Sequence, residues 1–165
     1  MPVIQKISPC LWFDDQAEAA VAFYTAIFKN SKVVNVSRYG EAGREVHGRQ
    51  PGTVLTVAFE LDGQSFTALN GGPVFKFNEA ISLQVNCATQ EEVDYYWEKL
   101  SAGGDDKAQQ CGWLKDRFGL SWQIVPVVLV EMISDPDPAR SGRVMEAMLK
   151  MKKLDIAGLK RAYGG

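Results

Sequence analysis

The sequence predicts an α+β fold: two tandem βαβββ modules that form a cupped sheet, followed by C-terminal helices. Three observations predict it. Asp15-Gln16-Ala17-Glu18 and Thr89-Gln90-Glu91-Glu92 each set an N-cap residue three positions before a glutamate, the capping box that satisfies free amides at a helix start, and each precedes an apolar helical run. Gly63-Gln64-Ser65-Phe66 is echoed by Gly119-Leu120-Ser121-Trp122, and each is followed by an apolar strand-like stretch. The segments between these markers alternate in hydropathy with the period of strands.

The first module begins with a strand over residues 3–13, ending at the Asp15 cap. Residues 17–28 carry Ala20, Val21, Phe23, Tyr24, Ile27 and Phe28 at helical spacing. Residues 32–39 alternate, with Val34 and Val36 on one side, and read as a strand. Residues 40–52 hold Gly40, Gly43, Gly48, Pro51 and Gly52 and read as a mobile loop placed to cover the mouth of a cup. Asp62-Gly63 joins strands at 53–61 and 65–69, a strong hairpin signal.

Asn70-Gly71-Gly72-Pro73 turns the chain into an irregular linker that runs to Asn78. The second module opens with a strand over 80–86, whose alternation directs Ile81, Leu83 and Val85 to the helix side. Its helix spans 91–100 and stops at Ala102-Gly103-Gly104. Strands at 108–115 and 120–126 flank the turn Asp116-Arg117-Phe118-Gly119. Asp135-Pro136-Asp137-Pro138 then breaks the chain. A helix over 139–153 bears the stripe Val144, Met145, Met148, Leu149 and Met151, and Asp155 caps a last helix. The predicted domain is residues 1–134, as modules 1–73 and 79–134, with a helical tail at 135–165.

Composition excludes several classes. With 18 basic and 20 acidic residues the formal net charge is −2, and no long charged block supports nucleic-acid or membrane-surface binding. The most apolar run, residues 124–130, contains Pro126 and is too short to span a bilayer. Cys10, Cys87 and Cys111 are an odd number without CxxC spacing, which points to reduced thiols in a cytoplasmic protein.

The chain resembles the PhnB-like branch of the glyoxalase/bleomycin-resistance (vicinal oxygen chelate) superfamily, a branch labelled 3-demethylubiquinone-9 3-methyltransferase-like. The residues carrying the resemblance are Leu11-Trp12-Phe13-Asp14, Phe23-Tyr24, Ile27-Phe28-Lys29-Asn30-Ser31, Ala68-Leu69-Asn70-Gly71-Gly72-Pro73, Cys111 through Gly119, and Ser121-Trp122-Gln123-Ile124-Val125-Pro126, with the tail over 143–153 also fitting. The resemblance implies a glyoxalase/bleomycin-resistance/dioxygenase-like fold and pairing of chains into a homodimer. Superfamily members that use a divalent ion hold it on His or Glu from the first and last strand of each module. Here those positions fall at Ser8 (or Pro9), Thr67 (or Ala68), Ala80 and Gln123, so the resemblance implies no metal and no cofactor. The methyltransferase label implies a nucleotide-like methyl donor, yet the strand-to-helix junctions Phe13-Asp14-Asp15 and Asn86-Cys87-Ala88-Thr89 carry no glycine for its close approach.

Alternation sends Ser8, Cys10, Trp12, Ser82, Gln84 and Asn86 to the face away from the helices. Thr67, Trp113 and Gln123 are placed to join them. Aromatic walls with neutral donors and acceptors suit a small organic ligand. The same residues serve equally to fill the cup or to seal a dimer seam. A metal-independent enzyme acting through Cys10, Cys111 or Gln123 is the third reading. The lone histidine, His47, sits in the glycine-rich loop, where a solvated side chain is the ordinary outcome.

Overall fold

The computed structural model describes residues 3–165. Among the described residues there are seven strands and six α-helices, in two compact units, residues 1–77 and 78–165.

In the first unit, strands β1 (Cys10–Phe13), β2 (Lys32–Arg38), β3 (Val54–Leu61) and β4 (Gln64–Asn70) form a sheet of order β1-β4-β3-β2. β1 lies parallel to β4, with Cys10 opposite Thr67, and the other pairs are antiparallel. The hairpin expected at Asp62-Gly63 forms with both residues at positive φ (49° and 75°), the backbone a two-residue primed turn requires. Helix α1 (Ala17–Ile27) covers one face of this sheet, where Leu11, Phe13, Val57, Phe59 and Ala68 are buried with Val21 and Tyr24.

Three expectations for this unit change. The first strand is shorter than residues 3–13, since ladder pairing begins at Cys10. Asp15 does not cap α1: the N-cap position is Gln16, which makes no side-chain bond there. The orphan amide of Ala17 is taken instead by Asn70 Oδ1 at 2.9 Å, from the far end of β4. Residues 40–52 are also not featureless, because they contain the short helix α2 (Arg44–His47).

The second unit repeats the plan with one strand fewer. β5 (Leu83–Cys87), β6 (Trp113–Lys115) and β7 (Ser121–Pro126) order as β5-β7-β6, again with a parallel pair followed by an antiparallel one. They correspond to β1, β3 and β4, so the second module is βαββ rather than βαβββ. The physical reason is length. Helix α3 (Gln90–Ser101) ends only a short stretch before β6, and that stretch is spent on Gly103, a 3-10 turn at Asp106–Ala108, and Cys111-Gly112, both at positive φ. No extended strand fits there, and the strand expected over 108–115 shrinks to its last three residues. The strand expected from Ala80 begins at Leu83, and Ile81 is exposed rather than turned to the helix. At the second helix the expected cap forms, with Thr89 Oγ1 accepting from Glu92 N at 3.2 Å, while Glu92 Oε2 reaches past the N-cap to accept from Ala88 N at 2.7 Å.

Three helices follow, α4 (Val127–Ile133), α5 (Pro138–Leu149) and α6 (Ile156–Gly164). Pro126 at the end of β7 and Pro138 at the start of α5 set their entries, and Asp155 Oδ2 caps α6 through Gly158 N at 3.0 Å, as its position predicts. Val125, Leu129, Met132, Val144, Leu154 and Leu159 form a core with the half-buried Met148 and Met151 packed against it, while Met145 and Leu149 of the stripe remain exposed. Gln90 ties these helices to α3: its Oε1 accepts from Ile156 N at 2.8 Å and its Nε2 donates to Leu154 O at 3.1 Å. Among the described residues, no helix is long and apolar enough to cross a membrane.

Candidate functional site

Each sheet buries one face under its helix and presents the other. In the first unit the presented face carries Cys10 and Trp12 on β1, Thr67 on β4, and Thr56 on β3, whose Oγ1 lies 2.5 Å from Ser37 Oγ on β2. Cys10 and Thr67 are register partners, so the structure brings them together. Ser8 is exposed and lies ahead of β1. Trp12 is half-buried and already committed. Its Nε1 donates to Gly72 O at 2.9 Å, and its ring meets Phe75 edge-on at 4.9 Å. Gly71 lies directly beneath the indole, where an added Cβ would fall 2.3 Å from the ring. Trp12 can therefore offer a ring face to a ligand but not its N–H.

The loop between β2 and β3 is fastened beside this tryptophan. Arg49 Nη2 donates to Asp14 O at 2.7 Å and lies 3.4 Å from Asp14 Oδ1, while Tyr39 OH donates to Asn70 O at 2.5 Å. His47 is spent on the loop itself. Its Nδ1 accepts from Arg49 N at 2.9 Å, which leaves Nε2–H to donate to Ala42 O at 3.0 Å, and its ring packs on Tyr39. None of these internal ties was legible in the glycine pattern.

In the second unit Gln84, Gln123 and Trp113 form one row across the three strands, because Gln84 and Trp113 are both register partners of Gln123. Ser82, one residue before the Leu83–Trp122 pair, joins them: Gln123 Nε2 donates to Ser82 Oγ at 2.9 Å. Gln84 Nε2 donates to Asn86 Oδ1 at 3.0 Å. The next row holds Ser121 opposite Lys115, whose ammonium is paired with Glu79 and holds that carboxyl below its usual range. Sequence reasoning missed Ser121, Lys115 and Glu79. The Gly-x-Ser-aromatic echo contained the signal for Ser121.

The turn at the end of β6 is organised by Asp116, which is almost fully buried. Its Oδ1 accepts from Phe118 N at 2.8 Å and Leu120 N at 3.1 Å, and its Oδ2 accepts from Trp122 Nε1 at 2.9 Å. The carboxylate thus fixes the register in which β7 presents Ser121 and Gln123.

The thiols are placed unfavourably for nucleophilic work. Burial pushes the Cys10 thiol up, and burial together with the Glu92 charge pushes Cys87 up to about 12. Cys111 sits at positive φ with its N–H donating to Met151 O, in the joint between β6 and the C-terminal helices.

The donor set does not fit a divalent ion. By register, the counterpart of Ser8 is Ser82 and not Ala80, which is exposed ahead of β5. Ser8, Thr67, Ser82 and Gln123 supply hydroxyls and an amide whose N–H is already given to Ser82, with no imidazole or carboxylate among them. A nucleotide-like methyl donor fits no better: neither the β1–α1 nor the β5–α3 junction contains a positive-φ glycine.

Comparison with known proteins is consistent with this architecture. The family model described as 3-demethylubiquinone-9 3-methyltransferase matches residues 5–125, and the chain belongs to that family. The tail resemblance over 143–153 lies outside the matched residues. The PhnB protein from Bacillus cereus, which carries the same description, is 36% identical over 74% of this chain and 100% of its own, with a TM-score of 0.64. A fosfomycin resistance protein, FosX, from Listeria monocytogenes, solved with Mn(II) and sulfate, shares the glyoxalase/bleomycin-resistance type of fold at 18% identity over 79% of this chain and 97% of its own, with a TM-score of 0.52. A Pseudomonas aeruginosa protein shares the fold at 16% identity over 74% of this chain and 98% of its own, with a TM-score of 0.56. Among curated proteins there is no match.

Proposed function

We propose that the chain is a metal-independent small-molecule-binding protein of the glyoxalase/bleomycin-resistance type, acting as a cytoplasmic homodimer. The single observation that carries this reading is the presented face of the second sheet, where Gln84, Gln123, Ser82 and Trp113 stand together as neutral polar groups beside one aromatic wall. Cys10, Trp12 and Thr67 form the corresponding ligand surface of the first unit, and Ser8 borders it. The paired modules over 1–134 are the binding domain and residues 135–165 a supporting tail. The exposed valines on the edge strand β2 (Val33, Val34 and Val36) favour a two-fold partner over a lone chain, since an apolar sheet edge invites pairing.

A thermal-shift screen with small aromatic and carboxylic compounds tests the reading. At least one compound is expected to raise the melting temperature by several degrees, by the same amount with and without chelator. Light scattering of the same sample is expected to give about twice the chain mass of 18.2 kDa. About one tightly held transition metal per chain, with a melting temperature lowered by chelator, would sink the metal-independent reading.

A further inference from the structure

We propose that the buried hydroxyl of Ser121, between Lys115 and Ser82, is the anion end of a site for a small planar organic carboxylate, whose flat remainder lies along Trp113 and Gln123. The proposal deepens the small-molecule reading above and rests on it.

Ser121 is fully buried, and its Oγ has no hydrogen-bond partner among the described residues. Buried polar atoms are nearly always satisfied, so an orphaned hydroxyl calls for a partner that the described residues do not supply. Its surroundings name the chemistry. Lys115 is the register partner of Ser121 on β6, and Ser82 precedes the Leu83–Trp122 pair on the other flank. Ser82 Oγ accepts from Gln123, which leaves the Ser82 O–H and the Gln123 Oε1 available to a ligand.

One ammonium and two hydroxyls match a monoanion better than a doubly charged group. The site already accepts a carboxylate, because Glu79 pairs with Lys115. Glu79 is the exposed member of that pair, with 62% of its side chain accessible against 26% for Lys115. Its release to water costs little, so a ligand carboxylate can take its place beside Lys115, and contact with the Ser121 hydroxyl, which is sealed from solvent, requires the cover over it to shift. The adjacent row supplies the rest: Trp113 offers a half-buried ring next to Lys115, and Gln123 sits opposite it.

Benzoate and its neutral isostere benzamide are the probes, titrated into the full chain and followed by calorimetry and amide NMR shifts. Benzoate is expected to bind at least tenfold more tightly than benzamide, with shifts centred on Trp113, Ser121 and Gln123. Ser121→Ala and Lys115→Met are each expected to weaken benzoate at least tenfold and leave benzamide unchanged. Glu79→Gln is expected to tighten benzoate, since the competing carboxylate is gone. Ser121→Ala is also expected to melt at or above the parent temperature, because it removes an orphaned buried hydroxyl. Equal binding of both probes, with Ser121→Ala without effect, overturns the carboxylate site while leaving the small-molecule reading intact. Absence of benzoate binding at millimolar concentration overturns the carboxylate site, while the small-molecule reading is decided by the wider thermal-shift screen. A Ser121→Ala variant that melts several degrees lower shows a structural hydroxyl and overturns the proposal.

Discussion

Asp116→Ala is expected to lower stability by about 4 kcal/mol or more. The side chain is 2% exposed and accepts from Phe118 N, Leu120 N and Trp122 Nε1. Alanine takes the shared acceptor away from all three donors, at about 1–3 kcal/mol for each that is buried. A domain stabilised by about 5–15 kcal/mol loses a large fraction of that reserve. Urea denaturation followed by tryptophan fluorescence reads the effect directly, because Trp122 is one of the donors. Asp116→Asn keeps an acceptor for the turn but loses the charge, so its loss should be roughly half as large. If the alanine variant unfolds within about 1 kcal/mol of the parent, the carboxylate is not what organises the turn.

Asn70→Ala is expected to cost about 3 kcal/mol, through a different pair of buried groups. Asn70 Oδ1 accepts from Ala17 N at 2.9 Å, and Asn70 Nδ2 donates to Val54 O at 3.1 Å. Truncation orphans the first amide of α1 and a carbonyl at the start of β3 together. Asn70→Asp separates the two roles. An ionised carboxylate still accepts from Ala17 but faces the Val54 carbonyl with a like partial charge, which raises its folded-state pKa above the unfolded value. Only the protonated acid can donate to Val54 O. The aspartate variant should therefore recover stability relative to the parent as pH falls, and lose it again as pH rises through the raised pKa. Chemical denaturation at acidic and neutral pH checks the sign. An aspartate variant equally stable at both would show that the Val54 bond carries nothing.

These two residues also mark where the sequence stopped being legible. The cap at Thr89 is legible because donor and acceptor lie within one turn, and Thr89 Oγ1 accepts from Glu92 N as expected. The box at Asp15 has the same local pattern and does not form, since Asn70 reaches Ala17 across 53 positions. No local rule ranks that competitor. The Asp62-Gly63 hairpin was legible from its dipeptide, because the φ values it needs are the ones Asp and Gly tolerate. Alternation of apolar and polar residues predicts a strand over 108–115, whereas Cys111 and Gly112 adopt a left-handed backbone that alternation does not reveal. In the candidate site, alternation puts Gln84 on the face away from the helix, and the register sets Trp113 and Gln123 in its row. Asp116 was read as part of a turn, and Ser121 as part of a repeated phrase. Their burial depends on what packs over them, which spacing does not encode.

The clamp between Gln90 and the last helices bears on when each half of the molecule can be finished during synthesis. The described pairings of the first sheet lie within residues 10–70, so that sheet can close soon after its own residues leave the ribosome. The second unit cannot. Leu154 and Leu159 fill its helical core, and Gln90 waits for Leu154 and Ile156, 64 and 66 positions later. Until they arrive, the Gln90 side chain lacks its ties to the chain end and the core around Val144 stays open. The late half is thus the one exposed to premature association, and its completion is a vectorial step set by translation as much as by sequence pattern.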